Sequence, residues 1–241
     1  KAKAYGPFVG GVLGILPQCG FSVVGANLYA TGLITLGTMM AVFLSTSDEM
    51  LPLLISGGVG SKIIFQILSF KFLYAVVAGI LIDAYLPQKI IKNKNDVDIE
   101  AFCQRENCKC ENKENMFLSA FKHTERISIL IFVFSFVINT LFLFWQKESI
   151  IETLSTLPIV NKFIAAAIGL IPSCYPSVFL TQLYLEHAIG LGTLIAGTLS
   201  NAGLGFLVLY RVNADKDATA KIMFLLYAIG VVCGIITEII T

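Results

Sequence analysis

From Ala4 to Ser47 the chain runs through 44 consecutive residues without a charged side chain. A helix needs about 20 apolar residues to cross the hydrocarbon core of a bilayer. Three further runs reach that length: Ile127–Gln146 with 20 residues, Phe163–Leu185 with 23, and His187–Tyr210 with 24 when the histidine is neutral. Two weaker candidates follow, Ile63–Leu86 (interrupted by Lys71) and Ile222–Thr237. Together they predict about seven membrane segments as a lower bound, some of them half-spans.

The charge that is present is concentrated in one place. Of the 33 charged residues, 15 lie between Leu86 and Arg126, so 200 residues share the other 18. Apolar residues make up 56% and charged ones 14%, against roughly 45–50% and about 25% in an ordinary soluble domain. A water-exposed globule needs more polar surface than this. Soluble enzymes, nucleic-acid binders and disordered chains are therefore excluded. The net charge of +1 gives no reason to expect an acidic partner. The fold class expected is an all-α polytopic membrane protein, with membrane lipid as its first partner.

An internal repeat organises the chain. Gly14–Ser45 aligns without gaps onto Gly169–Ser200 at an offset of 155 residues. Identical pairs include Gly14/Gly169, Pro17/Pro172, Cys19/Cys174, Ser22/Ser177, Tyr29/Tyr184, Gly37/Gly192, Thr38/Thr193 and Ser45/Ser200. The same offset places Gly79 over Gly234 and ends by pairing Asp83 with Glu238. Apolar bias does not bring Pro, Cys, Ser, Tyr and Thr into register. The expected organisation is a first repeat over 1–85, a charged loop over 86–122, and a second repeat with its leading helix over 123–241. The partner of the Ile127–Gln146 span would fall before Lys1, so at least one further N-terminal helix is expected. No secretory signal peptide is visible. An odd helix between the copies predicts opposite orientations, as in inverted-repeat transporters; parallel copies are the alternative.

Pro17 and Pro172 interrupt their apolar runs, in PQCGFS and PSCYPS. Proline frees a backbone carbonyl, tolerated in a membrane only where protein or a wet cavity covers it. Broken or re-entrant helices are expected at both prolines. Paired breaks at equivalent positions point to a substrate site; a simple kink held by a serine is the competing reading. The candidate substrate-binding residues are Gln18, Cys19, Ser22 and Asn27 in the first copy. Ser173, Cys174, Ser177, Gln182 and Asn201 are those in the second. Soft sulfur suits soft metals and metalloids, although cysteine also packs as a small apolar residue. Asp48, Glu49 and Glu186 are the candidates for carrying a coupling ion or proton, because acids at membrane depth are costly. Acids in an interfacial loop, or a helix cap formed by Glu186 with His187, would explain them without transport.

The charged loop carries Cys103, Cys108 and Cys110, whose spacing permits a soft-metal site. It matches no four-ligand zinc module, and a plain solvated linker is the other reading. Lys89, Lys92, Lys94, Lys122 and Arg126 flank the membrane and predict a cytoplasmic loop. Glycines at 6, 10 and 14 form a stripe that lets helices approach closely.

The segments GILPQCGFS, NLYATGLITLGTMMAVFLSTSDEMLP, FKHTERISI and GLIPSCYPSV…TQLYLE resemble the ten-helix heavy-metal exporters, also labelled arsenic efflux proteins and manganese transporters. The resemblance covers nearly the whole chain. It implies a multi-pass permease of the bacterial inner membrane, built of two five-helix halves. It also implies a more His-rich loop than Cys108-Lys109-Cys110 provides here.

The function expected is a secondary transporter that exports a metal or metalloid, of arsenic type or another soft heavy metal. It would work by alternating access with ion or proton coupling. A manganese or small-organic-ion transporter is the alternative, in which the oxygens of Asp48, Glu49, Asn27, Gln182 and Asn201 replace thiols. A membrane metal sensor or scaffold is the alternative of another class. No Walker motif, no enzyme site and no cofactor are expected. A homo-oligomer is among the partners such a chain admits.

Overall fold

The computed structural model describes residues 2–16, 20–47, 49–86, 132–133, 136–137, 140, 160–212 and 216–240. Among them every regular element is an α-helix. The chain forms two compact units, residues 1–92 with 146–241, and residues 93–145. In the second unit Phe132, Val133, Phe136, Val137 and Thr140 are helical, and the Phe132 and Phe136 rings stack at 6.4 Å. The three loop cysteines, with the rest of 87–122, lie outside the described residues.

The first unit contains ten helices among the described residues. They are α1 (Ala2–Ile15), α2 (Gly20–Ala30), α3 (Leu36–Ser45), α4 (Met50–Ser56), α5 (Ser61–Tyr85), α6 (Val160–Gly169), α7 (Tyr175–Leu185), α8 (Leu191–Ser200), α9 (Gly203–Val212) and α10 (Lys216–Ile240). The 155-residue offset is reproduced in the backbone: α2 and α7, α3 and α8, and α5 and α10 have equivalent first and last residues. Four stretches of the described residues are long and apolar enough to cross a membrane: Leu36–Ser56, Ser61–Tyr85, Leu191–Arg211 and Lys216–Ile240. Tyr5–Ile15 and Val160–Gly169 are shorter apolar helices. Most of Ile127–Gln146 is outside the described residues, so the expected seven segments are not all represented.

Local hydrogen bonding shows why the copies end their helices alike. After α2 the Gly32 amide donates to Tyr29 O at 2.9 Å and the Leu33 amide to Leu28 O at 2.9 Å. After α7 the His187 amide donates to Tyr184 O at 3.0 Å and the Ala188 amide to Leu183 O at 2.9 Å. Both are the paired bonds of a Schellman ending. The left-handed position falls on Gly32 (φ 73°) in one copy and on His187 (φ 58°) in the other.

Within each copy the third helix is the centre. Helix α3 packs against α1 and α5, and α8 against α6 and α10. Every residue from Gly37 to Ser45 is buried, and so is every residue from Gly192 to Ser200. Helices apolar all round belong in a bundle interior. Close approach is made by glycine: Gly10 and Gly14 lie against the Thr38 and Val42 carbonyls of α3, and Gly79 lies 2.7 Å, measured from an added Cβ, from Gly37 O. The glycine stripe of α1 therefore faces α3.

Packing between the copies is reciprocal. Helix α2 packs on α9, and α4, the counterpart of α9, packs on α7, the counterpart of α2. The equivalent helices α3 and α8 touch each other, as do α5 and α10. Tyr74 and Thr237 share a 3.1 Å hydroxyl–hydroxyl bond between α5 and α10.

Candidate functional site

The ends of α3 and α8 meet at a buried lysine. Lys71 lies ten residues into α5, about 15 Å along a helix at 1.5 Å per residue. That is near the middle of a 25-residue span, and the side chain is 1% exposed. Its Nζ donates to the carbonyl of Thr46, the residue capping the end of α3. It also donates to the carbonyl of Thr198, in the last turn of α8, at 3.4 Å. Helix C-termini expose carbonyls and carry the negative end of the dipole, so an ammonium is stabilised there.

Beside Lys71 is a cavity of about 10 Å³, on the order of one water molecule. Thr46, Ser47 and Met50 line it from the first copy, and Ser177, Thr198 and Asn201 from the second. Its hydroxyls share a bonding habit. Thr46 Oγ1 donates to Val42 O at 2.6 Å, Ser47 Oγ to Ser45 O at 3.1 Å, Ser177 Oγ to Cys174 O at 2.9 Å, and Thr198 Oγ1 to Leu194 O at 2.8 Å. A hydroxyl has one proton, so all four have spent it and offer only lone pairs. Asn201 Oδ1 accepts from the Gly203 amide at 2.9 Å, which shapes the turn between α8 and α9.

Of the residues singled out in the sequence, Ser177 and Asn201 are brought to this cavity. Cys174, half-buried, precedes α7 and holds the Ser177 hydroxyl through its carbonyl. Ser173 is 2% exposed, in the segment between Gly169 and Tyr175 that contains Pro172. Its Oγ makes no hydrogen bond. Ser22 is fully buried where Gly205 of α9 meets α2. Asn27 is half-buried and its carbonyl receives both the amide and the hydroxyl of Thr31, each at 3.0 Å. Gln182, Glu49 and Glu186 are exposed, Glu186 capping the end of α7. Pro17, Gln18, Cys19 and Asp48, like Cys103, Cys108 and Cys110, lie outside the described residues. Among the described residues no three His, Cys, Asp or Glu side chains cluster as metal ligands would.

Sequence reasoning missed Lys71 as a site residue, treating it as an interruption of a span. The signal was present, since a charge inside a membrane segment is a functional marker by default. It also missed why the repeat ends in an acid. Asp83 Oδ1 accepts from the Gly37 amide at 2.9 Å and Oδ2 from Thr35 Oγ1 at 2.6 Å, closing the N-terminus of α3. Glu238 stands at the N-terminus of α8 beside Gly190 and Gly192, where it meets Lys162 at 3.8 Å.

The chain is membrane-integral and multi-pass, and the family comparison agrees with that. A family model described as "Putative, 10TM heavy-metal exporter" matches residues 1–124 and 92–220. No curated protein and no solved structure matches the chain. With the family match running through both repeats, the chain belongs to this heavy-metal exporter family.

Proposed function

We propose that the chain is a secondary transporter exporting a soft heavy metal or metalloid, of arsenic type, from the bacterial cytoplasm by alternating access. The two repeats then lie inverted, and the crevice between them forms the substrate route. The observation that carries this is the mid-span cavity lined by both repeats at the ends of α3 and α8. Transporters of inverted-repeat design bind substrate near the midplane, where helices are broken. The reciprocal packing of α2 on α9 and of α4 on α7 supports two copies moving against each other. In this reading Cys174 and Cys19 meet the substrate, Ser177 and Asn201 line its path, and Asp48, next to the cavity residue Ser47, carries the coupling proton. At about 10 Å³ the cavity holds no hydrated ion, so the route opens only when the helices separate.

One observation favours a harder substrate such as manganese. Met50 supplies the only sulfur among the described cavity residues, and the rest offer oxygen or nitrogen; oxygen suits hard cations. Proteoliposome transport of arsenite, an organoarsenical, zinc and manganese separates the two. The soft-metal reading expects C19S and C174S each to lower export severalfold and D48N to abolish coupling. Intact transport in both cysteine variants, with manganese as the preferred ion, overturns it.

A further inference from the structure

We propose that the start of α8 binds one ordered water molecule, in the place of a hydroxyl that the first copy supplies from its own chain. In that copy Thr35 caps α3, and three groups share its Oγ1. It donates its one proton to Asp83 Oδ2 at 2.6 Å and accepts from the Thr38 amide at 3.2 Å and Thr38 Oγ1 at 2.8 Å. The second copy keeps the groups around this oxygen and replaces the residue that carries it. Thr38 returns as Thr193 and Asp83 as an acid, Glu238, whereas Thr35 returns as Gly190.

The backbone does not demand glycine there. Gly190 has φ −78° and ψ 168°, against −77° and 161° for Thr35, a conformation open to any residue. The space beside Gly190 faces the acid, since a Cβ built on it would lie 3.4 and 3.5 Å from the two Glu238 carboxylate oxygens. No side chain caps α8, which leaves its first-turn amides as donors. Thr193, one turn further on, is fully buried, and its Oγ1 makes no hydrogen bond. Side chains on a helix lean toward its N-terminus, so Thr193 leans back toward Gly190 as Thr38 does toward Thr35. A carboxylate, an amide and a hydroxyl therefore surround one water-sized position, and an ordered water makes about three hydrogen bonds. Water can donate to the carboxylate, accept from the amide and pair with the hydroxyl, as Thr35 Oγ1 does. A metal ion suits the place less well. The helix start carries the positive end of its dipole, and Lys162 Nζ already stands 3.8 Å from Glu238 Oε2. The joint of α8 to α10 is thus bridged by water where that of α3 to α5 is direct, whatever species is exported.

The test is thermal melting of the full chain in detergent, as wild type, T38V, T193V and G190S, with a density map that resolves ordered water. T38V and T193V are each expected to melt roughly 2–4 °C lower, because each removes a bonded hydroxyl. G190S brings its own hydroxyl to the position and is expected to melt at or above wild type. Exchanging sodium for N-methylglucamine at equal ionic strength should shift none of them. The wild-type map should show a solvent peak about 2.6–3.2 Å from Thr193 Oγ1 and a Glu238 oxygen, and the G190S map should lack it. The proposal is overturned if T193V melts at or above wild type, since valine then replaces an unbonded hydroxyl with a methyl group. It is also overturned if the map shows other internal waters and none here. Sodium that stabilises wild type but not T193V would assign the position to a cation instead. If T193V is not recovered folded, the map alone decides.

Discussion

Removing the Asp83 carboxylate tests whether the long helix of the first copy is tied to the start of its central helix by specific bonds. In wild type Oδ1 and Oδ2 take the Gly37 amide at 2.9 Å and the Thr35 hydroxyl at 2.6 Å. Hydrogen bonds to a charged group contribute about 1.5–3 kcal/mol each. Thr35 keeps a second partner, Thr38 Oγ1 at 2.8 Å, so the lower end of that range applies and D83A costs about 3 kcal/mol in total. At about 2–4 °C per kcal/mol, the apparent melting point falls by roughly 6–12 °C. D83N retains one acceptor oxygen and should lose about half as much. Fluorescence-detected size exclusion after heating at a fixed rate reads this, since detergent melts are rate-governed. T35A alone should cost about 1 kcal/mol, as a lost N-cap. In the D83A background it should cost less, because the two share a bond. Melting of D83A within about 2 °C of wild type, or strict additivity with T35A, refutes the reasoning.

His187 occupies the left-handed position that glycine holds in the first copy. H187G should therefore stabilise by about 0.5–1 kcal/mol, the strain of about 1–2 kcal/mol less the entropy of glycine; a lower melting point would contradict this. A Cβ on Gly14 would meet the Ser45 hydroxyl and Val42 O, whereas one on Gly20 meets nothing within 4 Å. G14A should cost about 1–3 kcal/mol and G20A nothing, and equal melting of the two variants would refute the account of α1 packing on α3. Cys103, Cys108 and Cys110 should be labelled in whole cells only by a membrane-permeant maleimide, as a cytoplasmic loop requires. Ready labelling by an impermeant reagent reverses the orientation.

Membrane insertion and the two-copy plan were legible in the residues alone, because both are written locally. Uncharged length sets how a segment partitions into lipid. A constant offset needs no knowledge of contacts, and the helix bounds at Gly20 and Tyr175, Leu36 and Leu191, Ser61 and Lys216 follow it. The choice of Ser177 and Asn201 also came from that offset, as residues at or after a break. Tertiary structure alone decided where these residues lie and what they touch. Gln182 pairs in sequence with Asn27, yet it is exposed and Asn27 half-buried, because side-chain direction on a helix depends on which neighbour it packs against. Lys71 looked like a flaw in an apolar run until α3 and α8, 25 and 127 residues away along the chain, brought their carbonyls to its ammonium. Asp83 and Glu238 were only the last aligned pair until the fold set each against a helix N-terminus. A buried charge acquires its meaning from the dipoles that converge on it. That convergence is non-local, and no spacing within one segment records it.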